Sequence, residues 1–340
     1  MTYKVAIVTN SPSGGGAERS MNQLGNHLSD KGLTVTKIYV KPGQEDLVKS
    51  RQPEFTLLSN EKRIFNSLYA VVAFNKLLRV IKPDVIILNC DFPEFLGVFL
   101  LRDTNLIVVE HTLFPFAKRR LVGRFIRIIL LLRKSVFVSV SEMEQVWPLG
   151  LKFTSVIENL NQYPDRNLIL RECPISRLVF IGRLSDEKKP FDALRIAHLS
   201  RTSILCIGTG SLQKSLEAFA RNLSIDAEFM GQVLNPWAFL KPGDILIVTS
   251  EYEGDGLVLI EGMAAGVPII ANDVPSLRRF NLPENNYAVS DLAFVERILA
   301  YRENSSDLIP PKECFDQIEK SRNSDFIVEK WRALICGDNG

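Results

Sequence analysis

The chain has 340 residues, 46% of them apolar, more than a single hydrophobic core normally uses, so two domains are expected. Its 41 basic and 39 acidic residues leave a formal charge of +2, which gives no concentrated basic surface and argues against a nucleic-acid partner. Five cysteines, at 90, 173, 206, 314 and 336, form no CxxC pair and only three histidines occur, at 27, 111 and 198; this suggests neither a disulfide framework nor a zinc cluster, fits a reducing compartment and speaks against a His-rich metal site.

Taken in chain order, Val5 to Val8 is a first strand, too soon interrupted by glycine and polar residues to be a spanning helix or a secretion signal. A helix from Ala17 to about Ser29 follows, then strands at Val35 to Val40, Val85 to Leu88, Leu106 to Val109 and Ser135 to Val140. These are β-branched runs without polar alternation, the pattern of parallel strands buried on both faces. The apolar runs Phe95 to Leu101 and Ile128 to Leu132 fall far below the ~20 residues that a bilayer crossing needs, so a cytoplasmic protein, not integral to a membrane, is expected.

The segment Ser155 to Pro164 closes the first half, and a domain boundary is expected between 158 and 175. The pattern then restarts: a strand at Leu178 to Ile181, a helix at Phe191 to Leu199, a strand at Ile204 to Ile207 and a helix at Leu212 to Asn222. Strands at Ala227 to Met230, Ile245 to Val248 and Val267 to Ile270, with a helix at Leu257 to Ala265, complete a second α/β unit. A charged helical stretch lies around Phe326 to Cys336. Two facing α/β units enclose a cleft, and open α/β sheets bind ligands beyond the C-terminal ends of their strands, so those loops are the first places to search.

Several constellations fall there. Gly14-Gly15-Gly16 follows the first strand and opens a helix, where backbone N–H groups can approach an anion; a plain tight turn is the other reading. Arg183, Lys188 and Lys189 follow the strand Leu178 to Ile181, placed to neutralise a diphosphate or to pair with Asp186 and Glu187 in a solvated loop. Gly208-Thr-Gly210 ends another strand and would let a phosphate or base approach the backbone, or form an ordinary turn. His111 follows Leu106 to Val109, where an imidazole can donate to a bound sugar.

The segment Glu253-Gly-Asp-Gly256 joins a strand to the helix that starts at Leu257 and carries Glu261. On one helix, eight residues would part the two carboxylates by ~12 Å, too far for the simple glycosidase arrangement. Separate tasks are expected, one acid accepting sugar hydroxyls and the other ribose hydroxyls, with the N–H groups of Gly256 and Leu257 facing a phosphate. Two helix-surface acids are the alternative.

Between His111 and Lys134 no acidic residue occurs, while Lys118, Arg119, Arg120, Arg124, Arg127, Arg133 and Lys134 interleave with Leu121, Phe125, Ile126, Ile128, Ile129 and Leu132. A basic amphipathic helix of this kind can lie on an anionic membrane surface, each near-surface cation contributing about 1 kcal/mol. A core-packed helix with a basic edge is the other reading.

The stretch from Glu253 to Pro268 resembles the Glu-x7-Glu element and the Ala-x-Gly-x-Pro turn of the family-4 retaining glycosyltransferases, and Gly14-Gly15 with Ala17-Glu18, His111, Gly182-Arg183-Leu184 and Lys188 follow in the family's order. The resemblance implies the GT-B fold: two facing Rossmann-like domains, at 1–165 on the acceptor side and 166–318 on the nucleotide-sugar side, with 319–340 returning to the first. It implies that Arg183 and Lys188 bind the donor diphosphate, Glu261 the ribose and Glu253 the sugar hydroxyls, with Gly15 and Gly16 near the phosphate and His111 near the sugar. No metal or other cofactor is expected, no Asp-x-Asp motif being present; the donor is expected to be a UDP-linked sugar and the acceptor a glycan or lipid-linked saccharide. The sequence departs from the family at Asp255, where Phe is frequent, at Asn159-Leu160, where Asn-Gly is common, and at Gly262, where Ala is frequent. The expected activity is retaining hexosyl transfer in surface polysaccharide or lipopolysaccharide assembly. The competing readings are a non-catalytic nucleotide-sugar or glycan-binding protein on this fold and a sugar-nucleotide epimerase.

Overall fold

The computed structural model describes residues 2–12, 15–43, 52–58, 66–111, 116, 119–141, 155–161, 163–164, 175, 177–303 and 307–337. Gly14, Lys118 and Cys173 lie outside the described residues. The chain divides into two compact units, Met1–Asn161 with Arg322–Gly340, and Gln162–Ser321.

Unit 1 carries β1 (Lys4–Thr9), α1 (Gly16–Asp30), β2 (Thr34–Tyr39), β3 (Glu54–Thr56), α2 (Asn66–Ile81), β4 (Val85–Asn89), α3 (Asp91–Val98), β5 (Asn105–Glu110), α4 (Arg120–Leu132), β6 (Val136–Ser139) and β7 (Ser155–Val156). The strands form one parallel sheet in the order β3-β2-β1-β4-β5-β6-β7. Alternate residues of the central strands feed opposite faces. Val5, Ile7, Val85 and Ile87 join a core with Met21, Leu24 and Leu28 of α1, while Ala6, Val8, Ile86 and Leu88 join another with Phe74, Leu96 and Leu130 of α2, α3 and α4. Burial on both faces is why these strands read as unbroken aliphatic runs.

Unit 2 repeats the plan with β8 (Arg177–Ile181), α5 (Pro190–Ser200), β9 (Ile204–Ile207), α6 (Gln213–Asn222), β10 (Ala227–Gly231), β11 (Asp244–Val248), α7 (Leu257–Ala265), β12 (Ile269–Asn272), α8 (Pro275–Arg278), β13 (Tyr287–Ala288), α9 (Asp291–Arg302) and α10 (Lys312–Ser321). Its parallel sheet runs β10-β9-β8-β11-β12-β13. In each sheet the chain works outward from one central strand and then crosses to that strand's other side. The order therefore reverses between β1 and β4 in unit 1 and between β8 and β11 in unit 2, the switch points at which Rossmann-like sheets hold ligands.

The last helix, α11 (Ser324–Cys336), belongs to unit 1, where Ile327, Val328, Trp331 and Ile335 join the core that α1 covers. Asn323 caps it, its side chain accepting from the N–H groups of Asp325 and Phe326. Leu160 fills the same core and donates its N–H to Ser20 Oγ at 2.9 Å, which accounts for an apolar residue where the family often has glycine. The strand expected from Val267 starts two residues later, at Ile269. Val267 is used to close α7: its N–H reaches back to Gly262 O at 3.2 Å across Gly266, whose φ is +68°.

Candidate functional site

The unit 2 switch point is assembled from the loops that leave β8, β9 and β11. The β8 and β9 exits lie in contact: Gly182 N–H donates to Ile207 O at 3.0 Å and Leu184 N–H to Thr209 O at 3.0 Å. Gly208 adopts φ +136°, and a Cβ there would stand 1.9 Å from Gly182 O, so no other residue fits this close approach. The β11 exit is tied to the same loop, since Thr249 Oγ1 lies 2.9 Å from Lys188 O and 3.0 Å from Lys189 O, and Glu251 N–H donates to Glu187 O at 2.9 Å.

Glu253 is the centre of this junction. It is 5% exposed, its Oε2 lies 2.5 Å from Lys188 Nζ, and its Oε1 accepts from Ser250 Oγ at 2.7 Å. Its backbone N–H donates to Ser276 Oγ at 3.0 Å. The neighbouring basic residues are paired too, though loosely. Arg183, with its side chain 65% exposed, lies 3.6 Å from Glu187, and Lys189 pairs with Glu251 at 3.0 Å. Burial pushes the Glu187 carboxyl up, but the Ser185 hydroxyl, a backbone N–H and the charges of Arg183 and Lys188 together hold it below the ordinary carboxylate range. The alternative in which Asp186 and Glu187 neutralise the two lysines does not hold: Lys188 reaches across to Glu253 and Lys189 to Glu251.

At the start of α7, Gly256 sits in the left-handed region at φ +66° and a Cβ would meet the Phe280 ring at 2.7 Å. Among the described residues no side chain caps this helix, which leaves the first-turn N–H groups at Leu257 for an anion. Glu261 is 3% exposed and accepts from the Trp237 indole N–H at 2.8 Å, which overturns the alternative of a solvent-facing helix acid. Gly262 also has a reason: a Cβ there would lie 2.6 Å from a Leu246 methyl and 3.1 Å from one of Ile269, so glycine lets α7 settle closer on β11 and β12 than alanine would.

In unit 1, Gly15 is the N-cap of α1, with Arg19 N–H donating to its carbonyl at 3.0 Å, and Gly16 is the first helical residue. His111 immediately follows β5 and is half-buried. The basic stretch 118–134 needs correction. Arg127 is not a surface cation: it is 2% exposed, forks onto both Glu94 oxygens at 3.0 Å, and also bonds Glu110. Arg133 donates to Leu100 O at 2.5 Å, while Arg119, Arg124 and Lys134 are exposed.

The structure thus brings together Arg183, Lys188, Gly208, Glu253, Gly256 and Leu257 at one sheet edge of unit 2, with Glu261 one turn into α7. Gly15, Gly16 and His111 occupy the corresponding sheet edge of unit 1. Nothing in the sequence points to Ser250 and Trp237, which bond the two carboxylates, or to Ser276, which takes the Glu253 backbone N–H. Ser250 lies just beyond β11, but nothing local marks Ser276, on α8, or Trp237, between β10 and β11. Among the described residues, no group of three or more His, Cys, Asp or Glu could hold a metal ion, and no helix is long and apolar enough to cross a membrane.

Residues 14–156 match the family described as Glycosyltransferase Family 4, and residues 176–305 the family described as Glycosyl transferases group 1. The chain is a GT-B-fold glycosyltransferase related to these families, whose members act on nucleotide sugars. Among similar proteins, the GalNAc-α-(1→4)-GalNAc-α-(1→3)-diNAcBac-PP-undecaprenol α-1,4-N-acetyl-D-galactosaminyltransferase of Campylobacter jejuni is 26% identical over 279 residues, covering 76% of each chain. The lipopolysaccharide core biosynthesis glycosyltransferase LpsD of Rhizobium meliloti is 23% identical over 276 residues, 76% of this chain and 75% of that protein. Among solved structures, Anabaena HepE in complex with UDP-glucose superposes with a TM-score of 0.78 at 16% identity, over 98% of this chain and 99% of that one. At such identity the likeness speaks for the fold alone.

Proposed function

We propose that the protein is a retaining, metal-independent hexosyltransferase that moves a sugar from a UDP-linked donor to a hydroxyl of a glycan or lipid-linked acceptor in polysaccharide or lipopolysaccharide assembly. The observation that carries this reading is the Lys188–Glu253 pair across the β8/β11 switch point, with Arg183 exposed beside it and the uncapped start of α7 next to it. The acceptor class is suggested by the relatives, one of them named for transfer to an undecaprenol-linked saccharide and another for lipopolysaccharide core biosynthesis.

In this reading the donor diphosphate draws Lys188 and Arg183 from their carboxylates and lies against the N–H groups at Gly256 and Leu257. Cations and N–H dipoles then stabilise the charge that develops on the leaving group, the task a metal would otherwise take. Glu253, relieved of Lys188, accepts hydrogen bonds from the sugar hydroxyls, and Glu261, oriented by Trp237, accepts from the ribose. Gly208 lets the backbone approach the nucleotide. The resemblance assigns Gly15 and Gly16 to the phosphate and His111 to the sugar. The acceptor oxygen bonds to the anomeric carbon on the face the diphosphate leaves; the bond from that carbon to the phosphate oxygen breaks, and the acceptor proton passes to the departing phosphate.

The test is transfer from UDP-hexoses to saccharide acceptors in the presence of EDTA, with NMR of the new linkage. The expected product keeps the donor's anomeric configuration. An inverted product removes the retaining assignment, loss of turnover with EDTA removes metal independence, and binding without transfer to any acceptor leaves a nucleotide-sugar-binding protein.

The same reading puts unit 1 on an anionic membrane surface. Its support is α4, where Leu121, Phe125, Ile128 and Leu132 recur at helical spacing and are all exposed, Leu121 and Leu132 at 79%, beside the exposed Arg119, Arg124 and Lys134. Co-sedimentation with vesicles should favour anionic over zwitterionic lipid; equal recovery would remove this part of the proposal.

A further inference from the structure

The loop between β11 and α7 is held by one short segment, α8 and its exit, residue against residue. Ser276 Oγ accepts the Glu253 N–H at 3.0 Å. Arg279 Nη2 donates to Gly254 O at 3.0 Å and lies 3.5 Å from Asp255 Oδ1. The Phe280 ring occupies the space beside Gly256, 2.7 Å from where a Cβ would stand, and the Arg279 guanidinium lies 4.8 Å above the centre of that ring. Every residue from 253 to 256 is therefore met by Ser276, Arg279 or Phe280.

Two further facts give this clamp meaning. Asp255 is 6% exposed, and a carboxylate so buried is costly without a cation beside it. Asp255 is also the position at which the chain departs from the apolar residue frequent in the family, so Arg279 supplies what the substitution requires. The platform is itself rigid: Arg278 pairs with Asp273 at 2.5 and 2.8 Å and lies 4.0 Å over the Tyr287 ring, while Tyr287 donates its hydroxyl to Leu277 O at 3.2 Å. None of these contacts reaches Lys188 or Glu261.

We infer that Arg279, acting with Asp255, is a positioning residue that shapes the 253–255 part of the loop for the donor sugar and so sets how strongly the protein prefers an intact nucleotide sugar to the bare nucleoside diphosphate. The inference rests on the donor assignment proposed above. Arg279 acts through the loop: its Nη2 serves both the Gly254 carbonyl and the Asp255 carboxylate while the planar guanidinium lies over the Phe280 ring, a combination that a lysine ammonium reproduces less well.

The test is calorimetric binding of UDP, GDP and ADP and of their glucose, galactose and mannose conjugates to wild type, Arg279→Lys, Arg279→Met and the double variant Asp255→Asn/Arg279→Met. The double variant removes the stranded carboxylate, so it remains informative if Arg279→Met alone fails to fold. Expected is a loss of about tenfold in nucleotide-sugar affinity in Arg279→Met and the double variant, with bare diphosphate affinity within about threefold of wild type, and Arg279→Lys in between. Parallel loss of both affinities, the mark of a merely structural role, would overturn the inference, as would unchanged affinity for both. If wild type binds none of the probes, the donor assignment falls and the inference with it, a result distinct from variants that match wild type.

Discussion

Charged residues meet at the C-terminal ends of both sheets, and the two clusters are built in opposite ways. In unit 1, Arg127 is sealed against Glu94 and Glu110, all three buried, and it joins α3, β5 and α4. In unit 2, Glu253 is buried, but its partner Lys188 stays partly exposed and the adjacent Arg183 largely so. A sealed pair cannot exchange partners without leaving a charge in a low-dielectric interior. A half-open pair can give its cation to an incoming phosphate. The first cluster thus holds the sheet edge together, and the second is suited to a charged ligand.

The largest expected effect tests that contrast. Arg127→Met leaves the buried Glu94 and Glu110 without their cation and should cost about 3–5 kcal/mol in denaturant unfolding; a near-wild-type midpoint would erase the distinction between the clusters. Lys188→Ala should instead lower turnover by ~10²–10³, with a smaller loss of stability than Arg127→Met, and wild-type turnover at saturating donor and acceptor would take Lys188 out of the diphosphate role. For Glu253→Ala, transfer should collapse by a comparable factor while calorimetry still registers nucleoside diphosphate; retained transfer would defeat its assignment to the sugar. Glu261→Ala should weaken nucleoside diphosphate binding by about tenfold, the effect of one lost hydrogen-bonding carboxylate.

A further effect concerns pH. Burial, opposed by Arg127 and reinforced by Glu110, holds the Glu94 carboxyl up at about 8. Between its ordinary range and that value the folded chain keeps a proton that the unfolded chain has released, so stability falls as pH rises through this window and levels off above it. The slope from this group is at most ~1.4 kcal/mol per pH unit. Glu94→Gln, which imitates the protonated acid, should flatten the curve between pH 5 and about 8; an unchanged slope would show that Glu94 ionises normally.

The central strands were legible because parallel strands buried on both faces need unbroken aliphatic runs, and Val85 to Leu88 and Leu106 to Val109 are such runs. The short edge strands at 54–56 and 287–288 were not, since two or three residues carry no period. Of the site, Arg183, Lys188, Glu253 and Glu261 were picked out by their places at strand ends and in a recognisable motif. Their partners were invisible: Ser276, Trp237 and Arg279 stand 23 to 25 positions from the residues they serve, with nothing local to mark them. In the basic stretch the sequence misled, because Arg127 has the same chemistry whether it faces solvent or a pair of glutamates.

By itself, then, the sequence determined the two α/β units, the strand-end loops that bear the chemistry and the segment Glu253 to Glu261. These follow from local patterning, which depends on residues a few positions apart. Tertiary structure alone decided which acid each base meets, that Glu253 and Glu261 are buried and that Arg279 clamps the 253–256 loop. Pairing and burial are properties of distance in space, and side chains remote in sequence become neighbours only once the parallel sheet has brought its strand ends to one edge.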